Sequence, residues 1–119
     1  MRMDTILNSK PVIKIFFDEN KIKEADIKEV LWGIEEEGIP YEVLPVRIEN
    51  AVDSGYKASI ESSLGVGIGI DEKYIVLHYN KLKKDSPLFT ISRNSDSTKI
   101  RSLGANAARL VIKMPFKGI

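Results

Sequence analysis

The sequence predicts a single three-layer α/β domain with a mixed five-stranded sheet, and three observations predict it. Strand-like and helix-like segments alternate over the first half of the chain, which is the pattern of right-handed βαβ crossovers and parallel strands. Two apolar runs separated by three polar residues follow, as in a hairpin, and a hairpin forces one strand antiparallel. A long apolar stripe at helical spacing closes the chain. The expected order is β-α-β-α-β-β-β-α.

Pro11 opens the first strand, Val12 to Phe17, whose Val-Ile-Lys-Ile-Phe-Phe run is β-branched and aromatic with only Lys14 polar. Such a run suits a strand buried on both faces. Asp18, Glu19 and Asn20 form the next loop. A helix from about Glu24 to Glu37 follows, with Ile27, Val30, Leu31 and Ile34 on one face. Gly38 just past its end and Pro40 soon after are stop signals. Tyr41 to Val46 is a second strand, and Pro45 places it at a sheet edge or marks its end.

Ile48 to Ser63 reads as a second helix, with Val52, Tyr56 and Ile60 at i, i+4 and i+8 and Asn50 as its cap. Leu64 to Ile70 and Tyr74 to Tyr79 form the hairpin across Asp71, Glu72 and Lys73. Pro87 leads into a short strand, Leu88 to Ser92. Ser95 is placed to cap the last helix, with Asp96 in its first turn. Ile100, Leu103, Ala107, Leu110 and Met114 form its stripe, and Pro115 stops it. Met1 to Lys10 reads as a flexible arm ahead of a domain spanning residues 11–119.

Composition narrows the function. The chain of 119 residues carries 18 basic and 17 acidic side chains, a net charge of +1. No overall field draws it to nucleic acid or to an anionic membrane. The absence of cysteine excludes disulfides, thiolate metal sites and cysteine nucleophiles, and is compatible with a reducing cytosol. No apolar run approaches the ~20 residues that span a bilayer, and the first ten residues lack a signal-peptide core. The expected location is the cytoplasm.

Several tempting motifs have plainer explanations. Gly65, Gly67 and Gly69 alternate with apolar residues and lead into another strand, whereas phosphate loops lead into a helix. Glycines in a strand mark close backbone approach. His78 stands alone in an apolar strand, which favours a packed, hydrogen-bonded histidine over a metal ligand. Asp18 and Glu19 end the first strand, where α/β folds place ligand sites, and Lys81, Lys83 and Lys84 make a small basic loop; solvation accounts for both. Gly104, Ala105, Ala107 and Ala108 give the last helix a small-residue surface for the sheet or another chain, flanked by Arg101 and Arg109. No nucleophile, base and oxyanion site assembles.

The stretch Leu31 to Pro40 resists a plain scaffold reading. Gly33 lies inside a helix at a cost of about 1 kcal/mol relative to Ala. Glu35, Glu36 and Glu37 crowd the last turn, where the macrodipole is already negative. Either this end is simply solvated, or a cation or basic partner meets it, with Gly33 admitting a second chain beside Trp32.

The residues Leu31-Trp32-Gly33-Ile34-Glu35-Glu36-Glu37-Gly38-Ile39-Pro40 now carry a resemblance, together with Ser63 to Gly69, Leu77-His78-Tyr79, Pro87-Leu88-Phe89, Leu103 to Val111 and Pro115-Phe116. In this order, from about Val12 to Phe116, the sequence resembles the small subunit of the glycerol or diol dehydratase reactivase. It is more distantly similar to the medium subunit of the cobalamin-dependent dehydratase.

The resemblance implies an anticodon-binding-domain-like fold and a chaperone-like role without catalysis of its own. In that family a large, actin-like ATPase subunit holds ATP or ADP with Mg²⁺. Subunit exchange between the reactivase and the dehydratase lets damaged cobalamin escape. The partners implied are therefore the large subunit and the cobalamin-dependent dehydratase, with no cofactor held by the small subunit alone. Trp32, Gly33, Glu35 and Glu36 are implied at the large-subunit interface, and Glu36 as a metal ligand shared with that subunit.

Two other readings stand beside this one: a non-catalytic medium-type subunit of the dehydratase itself, and a stand-alone small-molecule-binding α/β domain. The family's medium subunits are usually longer and carry cobalamin contacts. Glycerol and 1,2-propanediol stay open as the client's substrate, as does association with a bacterial microcompartment.

Overall fold

A computed structural model describes residues 10–47 and 50–119. The expected arm, Lys10 excepted, lies outside the described residues, and so does the expected helix start at Ile48. The strands are β1 (Ile13–Asp18), β2 (Tyr41–Val46), β3 (Val66–Ile70), β4 (Tyr74–Tyr79) and β5 (Phe89–Ser92). The helices are α1 (Lys28–Glu36), α2 (Ala51–Glu61) and α3 (Ser97–Ile112), with a 3₁₀ turn at Glu24–Ile27 ahead of α1.

The sheet order is β2-β1-β3-β4-β5. β1 pairs in parallel with β2 and β3, and β4 pairs antiparallel with β3 and β5. Only β4 runs against the rest, as the hairpin requires. β2 is an edge strand with Pro45 next to its end, so both readings of that proline hold.

Period-two alternation sorts side chains to the two faces of the sheet. Ile13, Ile15 and Phe17, Val66, Ile68 and Ile70, and Ile75 and Leu77 join Val30, Ile34, Ile100 and Leu103 in one core under α1 and α3. Gly67 and Gly69 therefore face the other side, where α2 lies. A Cβ at Gly67 would fall 2.2 Å from the Ser59 nitrogen, and one at Gly69 would fall 2.2 Å from the Ala51 carbonyl oxygen. The strand glycines thus serve close backbone approach and leave no phosphate loop.

That close approach overturns the expected face of α2. The helix buries Ala51, Ser54, Gly55, Ala58 and Ser59, while Ile60 is 53% exposed and Val52 and Tyr56 are half-buried. A helix lying against a glycine surface must turn its small side chains inward, so fit outweighs hydrophobicity. Asn50 caps it as expected, its side chain accepting from the Asp53 N–H.

Three boundaries also shift. The first helix divides into the 3₁₀ turn and α1, with Glu37 as C-cap and Gly38 at φ 77°. Asp96, not Ser95, caps α3, its carboxylate accepting from the Lys99 N–H at 2.8 Å. α3 ends at Lys113 in the left-handed region (φ 59°), before Pro115 is reached, and Met114 stands exposed beyond the helix.

Candidate functional site

The site begins with how closely α1 and α3 pack. A Cβ at Gly33 would fall 2.0 Å from the Arg101 carbonyl oxygen, and one at Gly104 would fall 2.1 Å from the Val30 carbonyl oxygen. Each helix thus seats a glycine on the other's backbone. Gly33 is buried in this contact, which corrects the expectation that it admits a second chain beside Trp32. The small-residue surface of α3 is likewise filled from within the chain, Gly104 by α1.

The glycine contact carries the arginines of α3 to the acidic end of α1. The Arg101 guanidinium donates from Nε (3.0 Å) and Nη2 (2.7 Å) to Glu29 Oε1. Its Nη1 lies 3.8 Å from Glu36 Oε2, and its Cζ sits 5.6 Å from the centre of the Trp32 ring, within the range of cation–π attraction. The Glu29 hydrogen bond and charge raise the Arg101 pKa further above its already high value; burial opposes this, and the Glu36 charge adds a smaller rise. Arg109 donates from Nε and Nη2 to Glu37 Oε2, both at 3.3 Å, and from Nη1 to the Pro115 carbonyl.

The three carboxylates of the last turn therefore differ in environment. Glu37 is half-buried and paired with Arg109. Glu35 is exposed and accepts from the Tyr41 hydroxyl at 2.8 Å. That bond, then burial, then the Glu35 charge hold the Tyr41 phenol above its ordinary value. Glu36 is exposed, and no hydrogen bond holds it among the described residues. The crowded turn is thus not merely solvated: two cations of α3 offset much of its clash with the helix dipole.

Trp32, 45% exposed, lines a shallow pocket of ≈ 430 Å³ with Glu35, Glu36 and Arg101. The structure brings together Trp32, Glu35 and Glu36 and turns Gly33 inward beneath them. Sequence reasoning missed Glu29, Tyr41 and the reach of Arg101. Glu29 and Glu36, two turns apart on one face, were the available signal. Among the described residues no group of three or more His, Cys, Asp or Glu could hold a metal ion. Glu36, exposed and in only a 3.8 Å ion pair with Arg101, presents a carboxylate, the donor type that hard divalent ions take.

The other candidates are bound into the fold. His78 is fully buried; its Nδ1 accepts from the Tyr79 N–H (3.0 Å) and its Nε2 donates to the Lys84 carbonyl (2.9 Å). A second pocket of ≈ 600 Å³ lies at the strand ends beside Asp18, Asn50, Asp53, Asp71 and Asp85. Asp71 already accepts from the Ala51, Lys73 and Tyr74 N–H groups, Asp53 pairs with Lys84 at 3.4 Å, and Asp18 accepts from the Asn20 N–H. Glu19 pairs with Arg47. No described helix is long and apolar enough to cross a membrane.

With this geometry in hand, the relatives are informative. The family model described as dehydratase medium subunit matches residues 10–117. The diol dehydratase-reactivating factor small subunit of Klebsiella michiganensis is 45% identical over 92 residues, covering 77% of this chain and 74% of its own. A solved structure described as diol dehydratase-reactivating factor complexed with ADP and Mg²⁺ contains a chain that superposes with a TM-score of 0.86 at 40% identity, over 92% of this chain and 99% of that one. A glycerol dehydratase reactivase chain superposes with a TM-score of 0.87 at 32% identity, over 92% and 98%.

Proposed function

The chain belongs to the dehydratase medium subunit family, its relatives being small subunits of diol and glycerol dehydratase-reactivating factors, and from that premise we propose that it works by lending a docking surface in a subunit exchange. In this reading it binds the factor's large subunit through the exposed end of α1. Exchange with the cobalamin-dependent dehydratase then opens that enzyme and lets damaged cobalamin leave. ATP hydrolysis belongs to the large, actin-like subunit, and this chain performs no covalent step.

One observation carries the proposal. Glu36 ends α1 exposed and, among the described residues, without a hydrogen bond, beside a half-exposed Trp32, on a helix locked in place by Gly33 and Gly104. A binding tip needs this combination of free surface groups and a rigid base. The match to a family model described for the dehydratase's own medium subunit supports the exchange, because a protein that takes a subunit's place must share its shape. The solved relative is a complex with ADP and Mg²⁺. Here Glu36 would give such an ion one carboxylate oxygen, neutralising charge between the subunits.

The test is a pull-down of the full chain against the large subunit and against the dehydratase, with and without Mg²⁺. Capture of both, with large-subunit binding tightened by Mg²⁺, is expected. Capture of neither overturns the proposal.

A further inference from the structure

We infer that Arg101 is the positioning residue that holds Glu36 and Trp32 ready for docking, an inference that rests on the reading of Glu36 given above. Arg101 belongs to α3, whereas Glu36 and Trp32 belong to α1. Its origin is nevertheless fixed relative to them, because its own carbonyl oxygen is the atom against which Gly33 packs. The side chain then branches to three groups: Glu29 Oε1 by two hydrogen bonds, the Trp32 ring at 5.6 Å, and Glu36 Oε2 at 3.8 Å.

The two carboxylates are not held alike. Glu29 pins the guanidinium at 2.7 and 3.0 Å, so the arginine cannot swing freely. Glu36 meets the remaining nitrogen loosely and through one oxygen, and its other oxygen has no partner among the described residues. A bare cation beside a metal ligand would repel an incoming divalent ion. The Glu29 charge offsets that of Arg101, leaving orientation as its main effect on Glu36. Hydrogen-bonding neighbours orient metal-ligating carboxylates, and their loss typically weakens metal affinity 10–100-fold; Arg101 acts on Glu36 through charge at 3.8 Å, too long for a hydrogen bond. The loose contact places the effect at the lower end, roughly tenfold.

The experiment measures the dissociation constant of the full chain and the large subunit, with and without Mg²⁺, for wild type, Arg101→Gln, Arg101→Lys, Glu29→Gln and Glu36→Ala. Arg101→Gln should cut the Mg²⁺-dependent gain in affinity by roughly tenfold, and Arg101→Lys should restore part of it. In the Glu36→Ala background, where the Mg²⁺ response is already lost, Arg101→Gln should change it no further; the partial rescue by Arg101→Lys is what separates positioning by charge from mere loss of packing. Trp32, the sole tryptophan, gives a second readout on the isolated chain: Arg101→Gln should increase its quenching by acrylamide. If Arg101→Gln fails to fold, Glu29→Gln, which releases the arginine, should give the same loss. An undiminished Mg²⁺ response in a folded Arg101→Gln chain overturns this inference while leaving the docking role of Glu36 intact. A wild-type chain that does not bind the large subunit overturns both.

Discussion

The carbonyl oxygen of Arg101 lies so near Gly33 that a methyl group added there would fall 2.0 Å from it. The same is true of Gly104 against the Val30 carbonyl at 2.1 Å. Alanine is the better helix former by about 1 kcal/mol, but forcing two helix backbones apart costs up to about 3 kcal/mol or more. The clash wins. Gly33→Ala and Gly104→Ala should each destabilise the fold by about 2 kcal/mol net, read as a lower urea midpoint. Gly38→Ala is the control for a different cause. Its added methyl meets no atom of the described residues within 4 Å but the position sits at φ 77°, so it should cost about 1 kcal/mol through backbone strain alone.

The acidic end of α1 can be titrated through Tyr41, whose hydroxyl donates to Glu35. Its phenol is held above its ordinary value chiefly by the hydrogen bond to Glu35. The folded chain therefore keeps a proton that the unfolded chain releases near pH 10. The stability this group contributes is fully present below the unfolded value and is lost as pH rises through the folded one. The tyrosinate absorbance that disappears in Tyr41→Phe should have its midpoint above 10 in wild type and move down toward 10 in Glu35→Gln. Tyr41→Phe should also flatten the loss of stability above pH 10. An unmoved midpoint in Glu35→Gln would detach Tyr41 from Glu35.

His78 joins two parts of the chain. Its ring fills a fully buried position, meets Tyr56 edge-on with centroids 5.3 Å apart, and ties β4 to the basic loop through the Lys84 carbonyl. His78→Ala leaves a cavity and removes that tie, a loss of about 3 kcal/mol. Chemical denaturation measures it, and the amides around Lys84 should exchange faster with solvent. A change under about 0.5 kcal/mol, the size of an ordinary surface substitution, would show that the ring is not held as described.

What the sequence revealed follows from which forces leave a local trace. β1, the hairpin and the edge position of β2 were legible because β-branched runs, a short polar connection and Pro45 act within a few residues of themselves. The acidic crowding at the end of α1 was legible for the opposite reason: three glutamates at a negative helix end contradict local preference, although the arginines that meet two of them, Arg101 and Arg109, come from α3. The buried face of α2 was not legible. Val52, Tyr56 and Ile60 make the better hydrophobic stripe, but Gly67 and Gly69 lie against Ala51, Ser54, Gly55, Ala58 and Ser59, and that decision belongs to another element. The partners of Arg101 were hidden likewise, since 72 residues separate it from Glu29 and only the glycine contact between α1 and α3 sets its reach.

Glu36 and Glu37 are neighbours in sequence with different surroundings, the first exposed and the second half-buried, so the proposed binding role and stability can be tested apart. The Glu37 side chain is 14% exposed and paired with Arg109, itself 22% exposed. Such a pair is screened less than a surface one, and removing one partner leaves the other charge partly desolvated. Glu37→Gln should lower stability by about 1 kcal/mol and leave the Mg²⁺ dependence of large-subunit binding unchanged. Glu36→Gln should do the reverse. Its carboxylate is exposed and its ion pair with Arg101 is 3.8 Å long, so little stability depends on it, under about 0.5 kcal/mol. The Mg²⁺ response should fall, because a neutral amide is a weaker ligand than a carboxylate for a hard cation. Denaturation and binding measured on both variants settle the division. Equal effects on stability would make the last turn of α1 a structural unit, and an unchanged Mg²⁺ response in Glu36→Gln would remove that residue from the interface.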